Sequence, residues 1–178
     1  MSGIVILISG NGSNLQALID IGFNIKKVFS NNPKAKGLQR ATIAGIPTEM
    51  ISNLTTLETK VTQFCNDNKV DLIVLAGFMR LLSNEFTNVW KKKCVNIHPS
   101  LLPSFPGITA IEQALDYGVK WTGVTVHYID EGMDTGEIIS QQPVEILPDD
   151  TEESMYKKIQ KVEHNLYAKT IKKLINPV

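Results

Sequence analysis

An asparagine and a histidine lie two residues apart at the end of a predicted strand, in Asn96-Ile97-His98-Pro99. Because side chains two apart on an extended segment project from the same face, the Asn96 amide and the His98 imidazole should lie side by side. Pro99 ends the strand, since proline has no N–H to give to a sheet ladder. Ligands of open α/β sheets bind at the carboxyl ends of strands. Two interpretations stay open: a ligand site, or a strand end whose polar groups bond a neighbouring loop.

A glycine-rich turn, Ser9-Gly10-Asn11-Gly12-Ser13-Asn14, follows the apolar run Ile4–Ile8 and precedes a helical pattern. Glycine lets the backbone approach a ligand, and the free N–H groups at a helix N-terminus favour phosphate. The turn therefore predicts a phosphate site. A tight turn with Ser13 or Asn14 as the helix N-cap would use the same residue types.

This turn does not match the dinucleotide fingerprint. Gly10 and Gly12 fit its first half, but Leu15 stands where the third glycine should be. The next predicted strand runs into Asn31-Asn32, which offers no acid for a ribose diol. The pattern argues against NAD and favours a phosphate ligand of mononucleotide size.

Several other polar groups could contribute to a site. The segment 78–82 follows a predicted buried strand, and it could line a pocket for a flat ligand or pack beneath the next helix. The acidic segment 130–136 does not match the EF-hand spacing, and a hairpin turn is its default interpretation. Glu163 is either a salt-bridge partner or a site carboxylate. His127 is assigned no role, and His164 is interpreted as structural.

Alternating strand and helix patterns predict an α/β protein. They indicate a mostly parallel, Rossmann-like sheet flanked by helices, followed by an antiparallel C-terminal part. The predicted strands are 4–8, 27–30, 47–51, 71–76, 94–98, 124–129 and 137–146. The predicted helices start near 15 and then cover 36–44, 57–68, 84–90 and 110–117. A last helix is predicted to begin with Asp150 as N-cap and Glu153 completing a capping box.

The composition sets limits on the class of protein. At 178 residues, the chain is expected to form a single domain, 1–178. Acidic and basic residues balance at 18 each, so nothing suggests a nucleic-acid or membrane surface. Cys65 and Cys94 indicate free thiols in a reducing compartment, which predicts a cytoplasmic protein. The three histidines show no close metal-ligand spacing, so we predict no metal site.

Four motifs together resemble those of the phosphoribosylglycinamide formyltransferases, the GAR transformylases among the formyltetrahydrofolate-dependent formyltransferases. They run in the family's order and the similarity covers nearly the whole chain. The third is shared more broadly by enzymes that use formyltetrahydrofolate, and the first is more particular to the glycinamide enzymes. The motifs are Ile8-Ser9-Gly10-Asn11-Gly12-Ser13-Asn14-Leu15, Leu75-Ala76-Gly77-Phe78-Met79-Arg80, Asn96-Ile97-His98-Pro99-Ser100-Leu101-Leu102-Pro103 and Asp134-Thr135-Gly136.

The resemblance implies transfer of the formyl group of the co-substrate 10-formyltetrahydrofolate to the amine of 5-phosphoribosylglycinamide, in de novo purine (IMP) biosynthesis. It implies a phosphate-binding half at about 1–93 and a catalytic, folate-binding half at about 94–178. The catalytic positions would be Asn96, His98 and Asp134. The substrate-binding positions would be Gly12, Ser13, Asn14 and Glu163. The folate-binding positions would be Met79, Arg80, Leu81, Leu82, Asn96, Asp130, Glu131, Gly132, Met133 and Asp134.

Residues of these types could catalyse direct formyl transfer. Attack of the amine on the formyl carbon puts negative charge on the formyl oxygen, which Asn96 and a protonated His98 could stabilise by donating hydrogen bonds. Asp134 would favour the charged imidazole. A water molecule held by Asp134 could carry the amine's proton to the leaving folate nitrogen.

Two other functions use part of the same residues. A 10-formyltetrahydrofolate hydrolase would share the centre formed by Asn96, His98 and Asp134, but would not need the phosphate turn. A non-catalytic nucleotide-binding module would need the turn alone. The expected partners are the two small-molecule substrates, without nucleic acid or membrane. A homodimer is left open.

Overall fold

The computed structural model describes residues 3–176, so the outermost residues of the predicted domain 1–178 lie outside the described part. The strands within it are β1 Gly3–Ile8, β2 Ile25–Ser30, β3 Thr48–Met50, β4 Val70–Leu75, β5 Cys94–His98, β6 Trp121–Tyr128 and β7 Ile138–Glu145. The helices are α1 Ser13–Ile21, α2 Lys36–Ile43, α3 Leu54–Asp67, α4 Asn84–Val89, α5 Ala110–Tyr117 and α6 Glu152–Ile175. The strands form one sheet in the order β3-β2-β1-β4-β5-β6-β7.

Strands β1 to β5 run parallel to one another, and β1 lies between β2 and β4. The apolar run Ile4–Ile8 is fully buried, as expected for a parallel strand that helices cover on both faces. The chain extends through β2 and β3 on one side of β1 and returns through β4 on the other. This reversal of strand order leaves a crevice at the carboxyl ends of β1 and β4, where ligands of such sheets bind.

The sheet becomes antiparallel after β5. β6 runs antiparallel to β5, and β7 runs antiparallel to β6. The register pairs Asn96 with His127 and His98 with Thr125. Polar residues of β6 therefore reach the same end of the sheet as the predicted catalytic pair. The predicted fold class, a mostly parallel sheet with flanking helices and an antiparallel C-terminal part, is confirmed.

Two hydrophobic cores cover the faces of the sheet. One packs residues of α1 and α6, such as Leu15 and Met155, against the strands, and the other does so with α3 and α4. The buried hydroxyl of Tyr167 donates hydrogen bonds to the carbonyls of Leu75 at 2.7 Å and Val95 at 3.1 Å. These bonds fix α6 across β4 and β5. Glu163, one turn earlier on α6, is thereby held at the crevice.

Two elements begin three residues earlier than the sequence predicted. α3 starts at Leu54 rather than 57, because the side chain of Asn53 caps it by accepting a hydrogen bond from Thr56 N at 2.9 Å. β6 starts at Trp121 rather than 124, because its pairing with β7 extends to that residue. Local composition marks the centre of an element better than its ends.

The predicted cap of α6 is wrong. Its N-cap is Thr151, whose hydroxyl accepts a hydrogen bond from Ser154 N, while the Ser154 hydroxyl accepts one from Thr151 N. Ser154 thus completes the capping box in place of Glu153. Asp150 lies one residue too early and forms an ion pair with Lys158 instead. The prediction failed because Asp150 and Thr151 are adjacent and both are residue types that favour the N-cap position.

Both cysteines are free, buried thiols, as predicted. Burial raises the pKa of the Cys65 thiol to about 12 and also raises that of Cys94, so both thiols stay protonated and unreactive. Among residues 3–176, no helix is long and apolar enough to cross a bilayer.

Candidate active site

The crevice at the carboxyl ends of the parallel strands is a cavity of about 440 Å³. The turn after β1, the segment after β4, the end of β5, the 130–136 loop and one side of α6 form its wall. Asp130 and Glu131 are the predicted site residues that do not line it. Those that do are Gly12, Ser13, Asn14, Met79, Arg80, Leu81, Leu82, Asn96, His98, Gly132, Met133, Asp134 and Glu163.

The turn after β1 leaves the N-terminus of α1 open to a ligand. The N-cap is Gly12, with φ 78°, and it has no side chain with which to cap the helix. The interpretation of Ser13 or Asn14 as the N-cap is therefore wrong. The first N–H groups of a helix have no partner inside it, and together with the helix dipole they attract an anion.

Close packing between α1 and α2 fixes the shape of this turn. A Cβ atom on Gly12 would lie 2.7 Å from the Cα of Gly37, so a larger residue does not fit without a shift of the backbone. Behind the turn, Arg40 donates from Nε to the carbonyl of Asn11 at 2.8 Å. The guanidinium adds positive charge next to the open helix end, which favours a phosphate further.

Neighbouring strand ends also hold the turn. The Ser9 hydroxyl donates to Asn31 Oδ1 at 2.5 Å and accepts from the N–H of Met79 at 2.7 Å. Asn32 donates from Nδ2 to the Ser9 carbonyl at 2.8 Å. The sequence analysis noted only that these asparagines stand where a dinucleotide-binding protein would have an acidic residue. In the structure they connect the glycine-rich turn to the end of β2.

His98 and Asp134 lie in contact, with 3.4 Å between His98 Nδ1 and Asp134 Oδ2. The Nε2–H of His98 donates to the carbonyl of Phe105 at 2.8 Å. Nδ1 is therefore the nitrogen that faces Asp134, and His98 joins Asn96 in the cavity wall. The imidazole bonds a neighbouring loop, as one interpretation of this strand end predicted, and it also faces the cavity. The ligand site itself stays a prediction.

The loop that carries the Phe105 carbonyl is anchored to the antiparallel strands. Leu102 N donates to Thr125 Oγ1 at 3.1 Å, and Gln141 Nε2 donates to the Leu102 carbonyl at 2.9 Å. Thr125 lies on β6 and Gln141 on β7. The antiparallel part of the sheet thus fixes the orientation of the His98 ring through the loop that follows it.

The backbone holds Asp134 in a left-handed conformation, with φ 56°. Its Oδ2 accepts a hydrogen bond from Gly107 N at 2.9 Å, and its side chain is only 11% exposed. Two residues later, a Cβ on Gly136 would lie 1.8 Å from the carbonyl oxygen of Tyr128, so only glycine fits there. These constraints direct the carboxylate towards His98 rather than to solvent.

His127 contacts Asp134 from behind the cavity wall, which the sequence analysis did not predict. Its Nε2 lies 3.7 Å from Asp134 Oδ1, and its Nδ1–H donates to the carbonyl of Tyr128 at 2.9 Å. Burial lowers the pKa of His127, which favours the neutral ring. Asp134 therefore lies between two imidazoles. Pairing of β5 with β6 opposes Asn96 and His127, and that long-range register was the signal that could have found it.

The segment after β4 forms an apolar wall of the cavity. Met79 and Leu81 are 65% and 55% exposed, which is unusual for large apolar side chains, and Arg80 is exposed beside them. Leu82 is buried and supports them from the core. An apolar wall with a single cation suits a flat, partly anionic ligand. The assignment of these residues to folate remains a prediction.

Asp130 and Glu131 lie away from the cavity. Oδ1 of Asp130 accepts hydrogen bonds from Gly132 N at 3.0 Å and from the Thr135 hydroxyl at 2.6 Å, so this side chain stabilises its own loop. Glu131 is exposed. Direct contact of either residue with a folate is a prediction that this geometry does not favour.

Glu163 places a carboxylate in the cavity wall. Asn14 donates to its Oε2 from Nδ2 at 3.4 Å. Burial raises the pKa of Glu163 to about 7, and the hydrogen bond from Asn14 offsets only part of that effect. A carboxyl group with this pKa can gain or lose a proton near neutral pH.

Residues 2–171 match the family described as Formyl transferase. The chain belongs to the formyl transferase family. One curated member, the phosphoribosylglycinamide formyltransferase of Bacillus subtilis (strain 168), is 39% identical over 98% of this chain and 95% of its own length. Another, the trifunctional purine biosynthetic protein adenosine-3 of Drosophila melanogaster, is 47% identical over 97% of this chain. The chain spans only 14% of that trifunctional relative.

Solved structures of family members share the fold. The phosphoribosylglycinamide formyltransferase of Anaplasma phagocytophilum superimposes with a TM-score of 0.90 at 43% identity, over 96% of this chain and 85% of that one. The phosphoribosylglycinamide formyltransferase of Bacillus halodurans gives 0.91 at 40% identity, over 99% of this chain and 96% of that one. The formyl transferase fold therefore extends over nearly all of this chain.

Proposed function

We propose that this chain transfers the formyl group of 10-formyltetrahydrofolate to the amine of 5-phosphoribosylglycinamide, a step of de novo purine biosynthesis. One observation carries the proposal: a single cavity joins an open helix N-terminus at Gly12 to the wall that holds Asn96, His98 and Asp134. The first feature suits the substrate phosphate, and the second suits the acyl transfer. The bacterial relatives with this fold carry the name of the same activity.

The reaction needs donors at the formyl oxygen. When the amine attacks the formyl carbon, negative charge develops on that oxygen, and Asn96 and a protonated His98 in the cavity wall can donate hydrogen bonds to it. Such donors stabilise the transition state more than the ground state, because the charge is absent before attack. The bond from His98 Nε2 to the Phe105 carbonyl leaves Nδ1 for this purpose.

Proton transfer completes the reaction. The attacking nitrogen must lose a proton, and the folate nitrogen must gain one as its bond to the formyl carbon breaks. Asp134 is nearly buried and lies within 4 Å of two imidazoles, so it can hold a water molecule that carries this proton. General acid–base catalysis of this kind typically contributes about 100- to 10,000-fold in rate.

The two other candidate functions lack support from a specific contact. A 10-formyltetrahydrofolate hydrolase does not require an anion site, yet the α1 N-terminus lacks a side-chain cap. A non-catalytic module does not require Asp134 held between His98 and His127.

A single assay separates the enzymatic candidates. Purified protein is incubated with 10-formyltetrahydrofolate, with and without 5-phosphoribosylglycinamide, and formate and formylated product are both measured. The proposal predicts formylated product in proportion to folate consumed, with little formate in either reaction. Formate release at the same rate with and without the amine would indicate a hydrolase, and no folate consumption would indicate a binding module.

A further inference from the structure

Glu163 differs from the other carboxylate of the cavity wall in having no charged partner. Asp134 lies beside His98 and His127. By contrast, no ion pair within 4.0 Å forms between Glu163 and any Lys, Arg or His of residues 3–176. Its one hydrogen bond, from Asn14, is long at 3.4 Å. Such a carboxylate in a cavity wall suits a cationic group of a ligand.

The position of Glu163 relates it to both ends of the cavity. Asn14 belongs to the first turn of α1, so its contact with Glu163 places the carboxylate beside the anion site. Tyr167, one turn later on α6, fixes the helix to the strand carbonyls of Leu75 and Val95. The carboxylate is therefore held against the cavity by the core, and Glu163 lines the same wall as His98.

We propose that Glu163 accepts the proton that the substrate's ammonium group must lose before its nitrogen can attack the formyl carbon. This assignment rests on the proposed function, because the cation in question is the amine of phosphoribosylglycinamide. An amine of this kind has a pKa near 8, so it enters largely as ammonium at neutral pH. Ammonium has no lone pair, and the attack requires one.

The proton balance is simple. An N–H bond of the ammonium breaks and an O–H bond forms on the Glu163 carboxylate, which leaves a neutral amine beside a neutral carboxylic acid. The amine lone pair then forms the new C–N bond, and a second proton moves from that nitrogen to the leaving folate nitrogen. Glu163 returns its proton to solvent after the product leaves. No oxidant, reductant or further reactant is needed.

The surroundings of Glu163 favour this exchange. A buried ion pair loses the solvation of both charges, so the neutral pair formed by proton transfer is stabilised relative to it. Asn14 is the neutral group that faces Glu163 from α1. Tyr167 lies one turn away on α6, and its own pKa is raised by burial, by Cys94 and by Glu163. The remaining titratable side chains of the cavity wall are Arg80, His98, Asp134 and Tyr156.

The test is the pH dependence of kcat/KM for phosphoribosylglycinamide, at saturating 10-formyltetrahydrofolate, in wild type and Glu163→Gln. The wild type can use the ammonium form once Glu163 is ionised, so its activity should rise with a midpoint near 7. The variant can use only the neutral amine, so its midpoint should lie near 8. The ratio of the wild-type kcat/KM to that of the variant should therefore be about tenfold larger at low pH than at a pH above the amine pKa.

Two variants serve as controls. Glu163→Asp keeps a carboxyl group and should keep a midpoint below that of Glu163→Gln, whatever its absolute rate. Glu152→Gln changes an exposed carboxylate on the same helix and should reproduce the wild-type profile. If Glu163→Gln lowers activity by the same factor at every pH, Glu163 has a structural role and the proposal is overturned.

A measurement on the wild type avoids any dependence on how a variant folds. Phosphoribosylglycinamide is titrated calorimetrically into the protein without folate, in buffers of different ionisation enthalpy. A complex that holds one proton between the amine and Glu163 should release protons on forming at pH about 6.5 and take them up at about 8.5. Proton exchange of one sign at both pH values would overturn the proposal. A wild type that does not formylate this amine at any pH would instead overturn the proposed function itself.

Discussion

His98 makes two different contacts with its two ring nitrogens. The Nε2–H donates to the Phe105 carbonyl, which fixes the plane of the ring, and Nδ1 faces Asp134 and the cavity. A neutral ring protonated on Nε2 can only accept at Nδ1, whereas the protonated ring donates there. The ring must therefore carry a second proton to stabilise an oxyanion. Asp134 is the carboxylate that this nitrogen faces, at 3.4 Å.

The His98 contacts predict a selective loss of turnover. His98→Ala removes the proposed donor to the formyl oxygen, so kcat should fall on the order of 100-fold or more, with little change in the KM for phosphoribosylglycinamide. His164→Ala is the matched control, because His164 is half-buried on α6 and does not line the cavity. Steady-state kinetics of both variants test this. Equal losses of kcat in the two variants would contradict the role of His98.

At the scale of elements, the proposed anion site consists of the N-terminus of α1 and the turn before it. Gly12 combines a left-handed conformation with a close approach to Gly37, and neither is available to another residue without strain. Gly22, at the other end of α1, has a similar φ of 87° but open space around its Cα. Substitutions at Gly12 and Gly22 therefore distinguish the effect of backbone strain, which both share, from the effect of a changed turn before α1, which only Gly12 has.

We expect Gly12→Ala and Gly22→Ala to lose comparable stability from the left-handed backbone, about 1–2 kcal/mol each. Gly12→Ala should lose more, because its Cβ also meets the backbone of α2 at 2.7 Å. Only Gly12→Ala should raise the KM for phosphoribosylglycinamide. Urea unfolding measures the first effect, and kinetics at varied substrate concentration measure the second. A raised KM in Gly22→Ala would show that general destabilisation, rather than the turn, controls substrate binding.

The cap of α6 gives a prediction about stability alone. Thr151→Ala removes one half of the observed capping box, which should cost about 1 kcal/mol in the free energy of unfolding. Glu153→Ala removes only an exposed ion pair with Lys157, worth about 0.5 kcal/mol or less. Urea denaturation of both variants distinguishes the two caps. A larger loss of unfolding free energy in Glu153→Ala than in Thr151→Ala would instead support the capping box of Asp150 and Glu153 that the sequence predicted.

At the scale of the whole molecule, the topology brings distant segments to one cavity. The reversal of strand order at β1 opens the crevice, and the change to antiparallel pairing after β5 brings β6 and the 130–136 loop to its other side. The parallel sheet could be predicted from buried apolar runs such as Ile4–Ile8 between helical patterns. The turn before α1 could likewise be predicted from its glycines, because both features depend on local sequence. The anion site at that turn stays a prediction.

Features that depend on long-range register could not be predicted in this way. His127 reaches Asp134 only because β6 pairs antiparallel to β5 with Asn96 opposite it, and no local pattern encodes that pairing. Similarly, Asp130 stabilises its own loop instead of the cavity wall, because hydrogen bonds from Gly132 and Thr135 fold it back. Resemblance to a family predicts which residues of a motif belong to a site. It does not predict which other residues contact them in space, and the structure is required for that.

The turnover of Asp134→Asn tests the central assignment most directly. The asparagine keeps the size of the side chain and an oxygen that can accept from Gly107 N, but it loses the charge between His98 and His127. We predict that kcat for formyl transfer falls by at least about 100-fold, while the Kd for phosphoribosylglycinamide stays near that of the wild type. A kcat within about threefold of the wild type would contradict the catalytic role of this carboxylate.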